Sequence, residues 1–545
     1  MNGKEELAQL RGITIWRALS DAAARNPERH ALVSANDHGE ISRLTYQELL
    51  TRIRNLSAGL AEIGVRRGDR VILWMTNTLE WVISAFATMR IGASVVPVNT
   101  FLKAPEIKYF IEQSGARHLI MIDGFRSLNM PQLLTEICPS VASVKAPGFI
   151  FSHELPELRN VVMFSRSGGR LDCAFEIGAL AEKASPEAHE LAEHMQRDTQ
   201  PTDLAMIKYT SGSTAFPKGV MLEQGGIVAN AVLHSRRMGV DGSDTYFSSM
   251  PFFHAGGSIY GLMTMLVNGG TLVFTEAFNA ALAADLVKSE RATVFVTMLG
   301  DEVVQAALGK GYVCDSVRLA DVRSDAARKV MPNVKTCFHA FGLTETYGPV
   351  ALSSYAVADC DIVGARPLDG NEARIVDPET LEDLPPGVPG ELLVRGNLTR
   401  GYWNKPVETA KAFTTDGWFR SEDLVSIDAK GCLTWHGRLK LMLKIGGENV
   451  SIEEVERVVT SHESIAACCG VSVPDQRKRE AMRLYVQAHS QHTISDSDLL
   501  AWLKPRLAHF KLPREIIFID SLPRLGNGKV DRVTLAKWAK SELPA

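Results

Sequence analysis

The chain is short of cysteine. It has eight in 545 residues, only Cys468 and Cys469 are neighbours, and no CxxC pair or His/Cys cluster at zinc spacing occurs. A disulfide frame and a structural zinc site are therefore not expected. No run of eighteen apolar residues occurs, so no membrane span is expected. Neither sign of charge dominates: 59 Lys and Arg face 63 Asp and Glu, for a net charge of −4. That balance lacks the basic footprint of a nucleic-acid binder. No Walker-type GxxxxGK[ST] loop, internal repeat or low-complexity tract is present. The N-terminal MNGKEELAQLRGITIW has no long apolar core and no small-residue cleavage site. An unprocessed, cytoplasmic protein is the expectation.

The remaining composition is that of a soluble globular chain, 45% apolar and 22% charged. Its length calls for more than one domain. In the first third, helix and strand signals alternate. Thr45 and Glu48 form a capping-box pattern ahead of a helix whose apolar positions 46, 49, 50, 53, 56, 60 and 63 keep helical spacing up to Gly64. RVILWM (70–75) reads as a buried strand, TLEWVISAFATMRIG (78–92) as a helix and ASVVPV (93–98) as a strand. Similar strands are expected at LAMIKYT (204–210), GTLVF (270–274) and ATVFVTM (292–298). Short apolar strands alternating with helices imply parallel sheets covered by helices.

Over 363–436 the texture becomes rich in Gly, Pro and short β segments, as in an antiparallel, barrel-like subdomain. After it comes a smaller α/β unit. Ser451 and Glu454 cap a helix there, and AACCGVSV, LYVQAH and EIIFID read as strands. DLLAWLKPRLAHF reads as a helix broken near Pro505. The fold class expected is α/β: a large domain over 1–437, built of two parallel α/β subdomains and a β-barrel-like one, and a small mobile α+β lid over 438–545.

One loop carries a chemical signal. YTSGSTAFPKG (209–219) packs Gly/Pro breakers, hydroxyls and a lysine between a strand and what reads as a turn and helix. Glycines let backbone N–H groups approach an anion, hydroxyls add donors and lysine adds charge. Composition alone fits a phosphate loop and a plain surface turn equally well.

The loop resembles the phosphate loop of the adenylate-forming superfamily, which includes acyl-CoA synthetases. Four further segments resemble that family's motifs in its order. They are FGLTET (341–346), GYWNKPVETAKAF with GWFRSEDL (401–424), GRLKLMLKIGGENVSIEEVE (437–456) and LPRLGNGKVDR (522–532). The resemblance runs from about residue 12 to 540. It implies that Thr210, Ser211, Gly212, Ser213, Thr214 and Lys218 wrap the β and γ phosphates of ATP. It further implies that Thr344 bonds the α-phosphate, Glu345 ligates Mg²⁺, Gly342 lies at the nucleotide and acid site, and Asp423 and Arg438 approach the ribose. Lys529 would bridge substrate carboxylate and α-phosphate during adenylation, and Gly446–Gly447 would let a pantetheine arm of coenzyme A pass.

PFFHAGG (251–257) resembles the P-x-F-H-x-x-G segment of acyl- and aryl-CoA ligases. It has no acid between Phe252 and Tyr260, which argues against an α-amino acid substrate. His254 fits a gate on the acid pocket and a packed core residue equally. Residues 254–260, 297–301 and 339–343 should line the pocket, whose small residues leave room for an aryl or medium-length acid.

Four departures stand out. Glu422 replaces the glycine of T-G-D, where a positive φ would cost it roughly 1 kcal/mol. Leu441 is nonpolar at the hinge. VRLADVRSDAARKV (317–330) stands in place of the S-G-G-A-P loop, and Val296-Thr297-Met298 lacks the family's proline. The leading expectation is an ATP- and Mg²⁺-dependent acid–CoA ligase. The alternatives are transfer to a carrier-protein pantetheine, an amine or another nucleophile, and a binding protein with a decayed site. Expected partners are a small carboxylic acid, ATP and CoA, with no nucleic acid and no membrane span. A homodimer is also among the expectations.

Overall fold

The computed structural model describes residues 2–541 apart from 167, 170, 211–216, 323, 335, 338–339, 354–364, 440–441, 476, 490–493 and 525–529. The chain divides into two compact units. One comprises Met1–Thr100, Ile111–Lys208 and Gly219–Gly437. The other comprises Phe101–Phe110, Tyr209–Lys218 and Arg438–Ala545.

Two seven-stranded sheets organise the larger unit. The first runs, in spatial order, Thr336–Cys337, Leu319–Ala320, Val294–Phe295, Thr245–Ser248, Thr271–Thr275, His30–Ala35 and Ile41–Thr45. Every neighbouring pair is parallel except the last. The second runs Lys218–Glu223, Leu204–Thr210, Ser94–Pro97, Arg70–Trp74, His118–Ile122, Asn160–Phe164 and Ala174–Glu176. Its strands from Leu204–Thr210 onward pair in parallel.

Sequence explains the elements locally. Thr45 and Glu48 close the expected capping box on helix Tyr46–Glu62, satisfying two orphan donors reciprocally. Helix Leu79–Arg90 is buried nearly all round, which its continuous apolar sequence requires. ATVFVTM contributes only Val294–Phe295 as strand. After it the chain turns through Leu299, at φ 56, into helix Gly300–Gly309.

One expectation is corrected. The segment after the phosphate-type loop is not a turn but the strand Lys218–Glu223, followed by helix Gln224–Met238. Val220 and Leu222 are fully buried on alternate positions, the period-2 pattern of a strand. The loop therefore joins two strands of one sheet. The 363–436 region forms antiparallel pairs, including Glu372–Val376 with Gly390–Arg395 and Gly390–Arg395 with Phe419–Ile427.

In the smaller unit, strands Glu448–Ser451, Met442–Ile445, Arg479–Ala488 and Ile465–Asp475 form a sheet, with Glu515–Phe518 beside Arg479–Ala488. Ser451 caps helix Ile452–Thr460 by accepting from Glu454 N. The helix near Pro505 ends at Leu503, as its sequence requires. Lys511, 5% exposed, is held between two carboxylates: Glu106 at 2.9 Å and Glu454 at 2.8 Å. Among the described residues no helix is long and apolar enough to cross a membrane.

Candidate active site

The first sheet sets the site by topology. Four adjacent parallel strands end in the segments singled out by sequence. Thr245–Ser248 leads to PFFHAGG, Val294–Phe295 to residues 297–301, Leu319–Ala320 to Asp321, and Thr336–Cys337 to the strand Ala340–Leu343. Ligands of open α/β sheets sit in the crevice at such carboxyl ends. Two of these segments are tied directly, through a hydrogen bond between the Ser249 and Thr297 hydroxyls.

FGLTET folds into the strand Ala340–Leu343 and the 3₁₀ turn Thr344–Thr346. Thr346 Oγ accepts from Leu343 N at 3.1 Å and donates to the Gly348 carbonyl at 2.7 Å. Gly342 is required here, because a Cβ would run into the Gly348 carbonyl oxygen. Asn230, from helix Gln224–Met238, donates to the carbonyls of Thr346 (3.2 Å) and Pro349 (2.7 Å). The ring of Tyr347 fills the space beside Gly226, and its hydroxyl accepts from Glu223 N. Burial pushes that hydroxyl up to about 12, so it stays neutral.

Glu345 is held on two sides. Tyr402 Oη donates to Glu345 Oε1 at 3.0 Å, and Thr399 N donates to the Glu345 carbonyl at 2.8 Å. The GLTET and GYWNKP motifs, distant in sequence, thus meet. Asp423 is 1% exposed, with its Oδ1 accepting from Trp435 Nε1 at 3.1 Å and its N–H bonded to Ser421 Oγ. Sequence reading missed Tyr402 and Trp435. Tyr402 stood inside a recognised motif, while Trp435 carried no signal, being twelve residues from its partner on another strand. Glu422 adopts φ 58, the left-handed region anticipated for the position.

His254 is half-buried. Its ring lies against Phe253 at 4.7 Å, and its carbonyl accepts from Ser258 N and Oγ. It precedes an i→i+5 helix, Gly256–Met263, a form that clusters at functional sites. It is neither a sealed core histidine nor fully open. Lys208, missed by sequence, lies two residues before Thr210 on the strand Leu204–Thr210. It is 3% exposed, and its Nζ donates to the carbonyls of Phe253 (2.9 Å) and Phe252 (3.4 Å). Burial pulls its ammonium down to about 7.

In the smaller unit, Thr210 ends the strand Leu204–Thr210 and Lys218 opens Lys218–Glu223. Tyr109 Oη donates to the Pro217 carbonyl, and the Tyr209 ring stacks on Phe110 at 4.2 Å. Gly446 and Gly447, at φ 59 and 88, make the two-residue turn between Met442–Ile445 and Glu448–Ser451. Two consecutive positive φ values match a type I′ hairpin, which by itself demands glycine-like residues. Arg438 ends the strand Leu433–Arg438. Ser211, Gly212, Ser213, Thr214, Leu441 and Lys529 lie outside the described residues.

Among the described residues no cluster of three or more His, Cys, Asp or Glu could hold a metal. A single anchored carboxylate, Glu345, nevertheless fits Mg²⁺, which keeps waters and substrate phosphates as its other ligands.

Comparison with known proteins places the chain in a family. Residues 19–403 match the AMP-binding enzyme family and residues 454–529 the AMP-binding enzyme C-terminal domain. The putative acyl-CoA synthetase YngI of Bacillus subtilis is 30% identical, covering 97% of each chain. The human mitochondrial medium-chain acyl-CoA ligase ACSF2 is 28% identical over 97% of this chain and 88% of its own. In fold, the chain is similar to o-succinylbenzoate CoA synthetase MenE of Bacillus subtilis (TM-score 0.76, 22% identity, 95% and 98% covered). It is equally similar to the amide bond synthetase McbA of Marinactinospora thermotolerans (TM-score 0.77, 23% identity, 96% and 99% covered). The chain belongs to the AMP-binding, adenylate-forming enzyme family, in its acyl-CoA synthetase branch.

Proposed function

We propose that the enzyme joins an aryl or medium-length carboxylic acid to coenzyme A in two steps. The acid's carboxylate oxygen attacks the α-phosphorus of ATP, giving acyl-adenylate and releasing pyrophosphate. The thiolate of CoA then attacks the acyl carbon, giving the thioester and releasing AMP. The observation that carries this reading is the joining of Glu345 to Tyr402 beside the Thr344–Thr346 turn.

Bringing two anions together and neutralising charge at phosphorus calls for fixed donors and cations. Thr210, Ser211, Gly212, Ser213, Thr214 and Lys218 hold the outer phosphates in this reading. Thr344 bonds the α-phosphate, and Gly342 keeps the backbone there narrow. Glu345, oriented by Tyr402, holds Mg²⁺, which supplies charge to the phosphates when bound. Asp423, oriented by Trp435, accepts from the ribose hydroxyls, and Arg438 approaches the same sugar. Lys529 lowers the repulsion between carboxylate and phosphate. Residues 438–545 act as the moving lid and 1–437 as the body, with Gly446–Gly447 beside the CoA arm in the second step. His254 borders the acid. A cytoplasmic location agrees with the six buried free thiols among the described residues.

The test is pyrophosphate release over aryl and aliphatic acids with Mg·ATP, with and without CoA. Acid-dependent release with AMP and acyl-CoA formed on CoA addition is the expected result. Release with no thioester would move the acyl group to a carrier-protein pantetheine, an amine or another nucleophile. No release with any acid would sink the reading.

A further inference from the structure

The sheet whose strands end in the expected acid-pocket segments has a polar face. Tyr246 lies on Thr245–Ser248 and pairs in register with Val294, which pairs with Leu319. Phe247, Phe295 and Ala320 pair in the next register and belong to a hydrophobic core cluster on the opposite face. Side chains alternate along a strand, so Tyr246, Leu319 and the residue two beyond Leu319, Asp321, share the face away from that core. Tyr260 lies on the Gly256–Met263 helix, which follows His254 and packs against the strand Thr245–Ser248.

Tyr246 is wholly buried, and its hydroxyl has no hydrogen-bond partner among the described residues. A hydroxyl sealed from water without a partner is costly and rare, and it calls for a ligand or an ordered water. Burial and then the charge of Asp321 push this hydroxyl well above its ordinary value; Tyr260 responds to burial, to Tyr246 and to Asp321. The charge of Asp321 thus acts on both phenols. Behind Tyr260, His234 is fixed and stays neutral. Its Nδ1 donates to the Asn230 carbonyl at 2.8 Å, and its Nε2 accepts from Thr264 Oγ at 2.6 Å. Burial holds it at about 4.

We propose that the acid carries a hydroxyl or amino group remote from its carboxylate, and that Tyr246 and Asp321 read it. The substituent donates to the Asp321 carboxylate and pairs with the Tyr246 hydroxyl. This inference rests on the ligase reading above and narrows its substrate class. A site built to bond a substrate OH or NH discriminates strongly against the analogue lacking it, whereas an apolar pocket barely does.

The experiment measures kcat/KM for matched acids: benzoate against 3- and 4-hydroxybenzoate and 4-aminobenzoate, and octanoate against 8-hydroxyoctanoate. It compares the wild type with Tyr246→Phe and Asp321→Asn, and records thermal midpoints. The best substituted acid should exceed its parent by about ten-fold or more in the wild type. Tyr246→Phe should bring that ratio near one without lowering the midpoint, because no protein partner loses a bond. Equal use of parent and substituted acids, or a ratio that survives Tyr246→Phe, overturns the inference and leaves the ligase intact. A fall in the midpoint of Tyr246→Phe also overturns it, since the hydroxyl would then be structural. Absence of pyrophosphate release with every acid instead overturns the ligase reading itself.

Discussion

Replacing Lys208 by methionine probes the tie between the strand Leu204–Thr210 and the PFFHAGG segment. In the folded protein the lysine is 3% exposed and held at about 7 by burial, against an ordinary 10.5. The gap of about 3.5 pH units is worth about 5 kcal/mol, at about 1.4 kcal/mol per unit. The sign follows from proton counting. Between pH 7 and 10.5 the unfolded chain holds the proton and the folded chain does not, so stability rises with pH across that window. Below pH 7 both states are protonated, and the full cost of a buried charge is present. Wild type should therefore gain about 2 kcal/mol relative to Lys208→Met between pH 7 and 9. The assay is the denaturant midpoint of each protein at half-unit pH steps. Parallel curves for the two proteins would refute the argument. Lys208→Gln, which keeps N–H donors without a titrating charge, should follow the methionine variant in pH dependence. In activity, Lys208→Met frees the Phe252 and Phe253 carbonyls. It should raise KM for the acid about ten-fold, the scale of one or two lost hydrogen bonds, while Lys208→Gln should restore much of the loss.

The other predictions concern the nucleotide and the half-reactions. Glu422→Gly removes an L-residue from φ 58 and a carboxylate from beside Asp423, so the KM for ATP should fall; an unchanged KM would place Glu422 away from the nucleotide. Tyr402→Phe should raise the Mg²⁺ concentration needed for half-maximal pyrophosphate release, by the roughly 1 kcal/mol of a lost carboxylate hydrogen bond. Lys529→Ala should abolish adenylation yet spare thioester formation from supplied acyl-adenylate; equal loss in both half-reactions would remove the role given to this lysine.

Much of this was legible from local signals. The Thr45 capping box, the buried strand at 70–74 and the break near Pro505 depend on neighbours a few residues away, which sequence displays directly. The two glycines of the 446–447 turn are equally local, since consecutive positive φ values tolerate little else. What sequence hid was pairing. KGVMLE looked like the approach to a helix until Val220 and Leu222 were seen buried on one face. The contacts Tyr402–Glu345 and Trp435–Asp423 arise only when separate segments meet. Lys208 was invisible for a related reason: its meaning comes from the Phe252 and Phe253 carbonyls, forty-four and forty-five residues away. Glu422 shows the reverse, a departure noticed in sequence whose backbone cost is visible in φ.

The central claim is that the acid is carried through an adenylate to CoA, and a single turnover tests it most directly. Enzyme in excess would be mixed with α-³²P-labelled ATP, Mg²⁺ and an accepted acid, quenched, and then chased with CoA. The account predicts a labelled acyl-adenylate that accumulates before the chase and converts to AMP and acyl-CoA after it. Labelled ADP in place of the adenylate, or an adenylate that CoA leaves untouched, would contradict it.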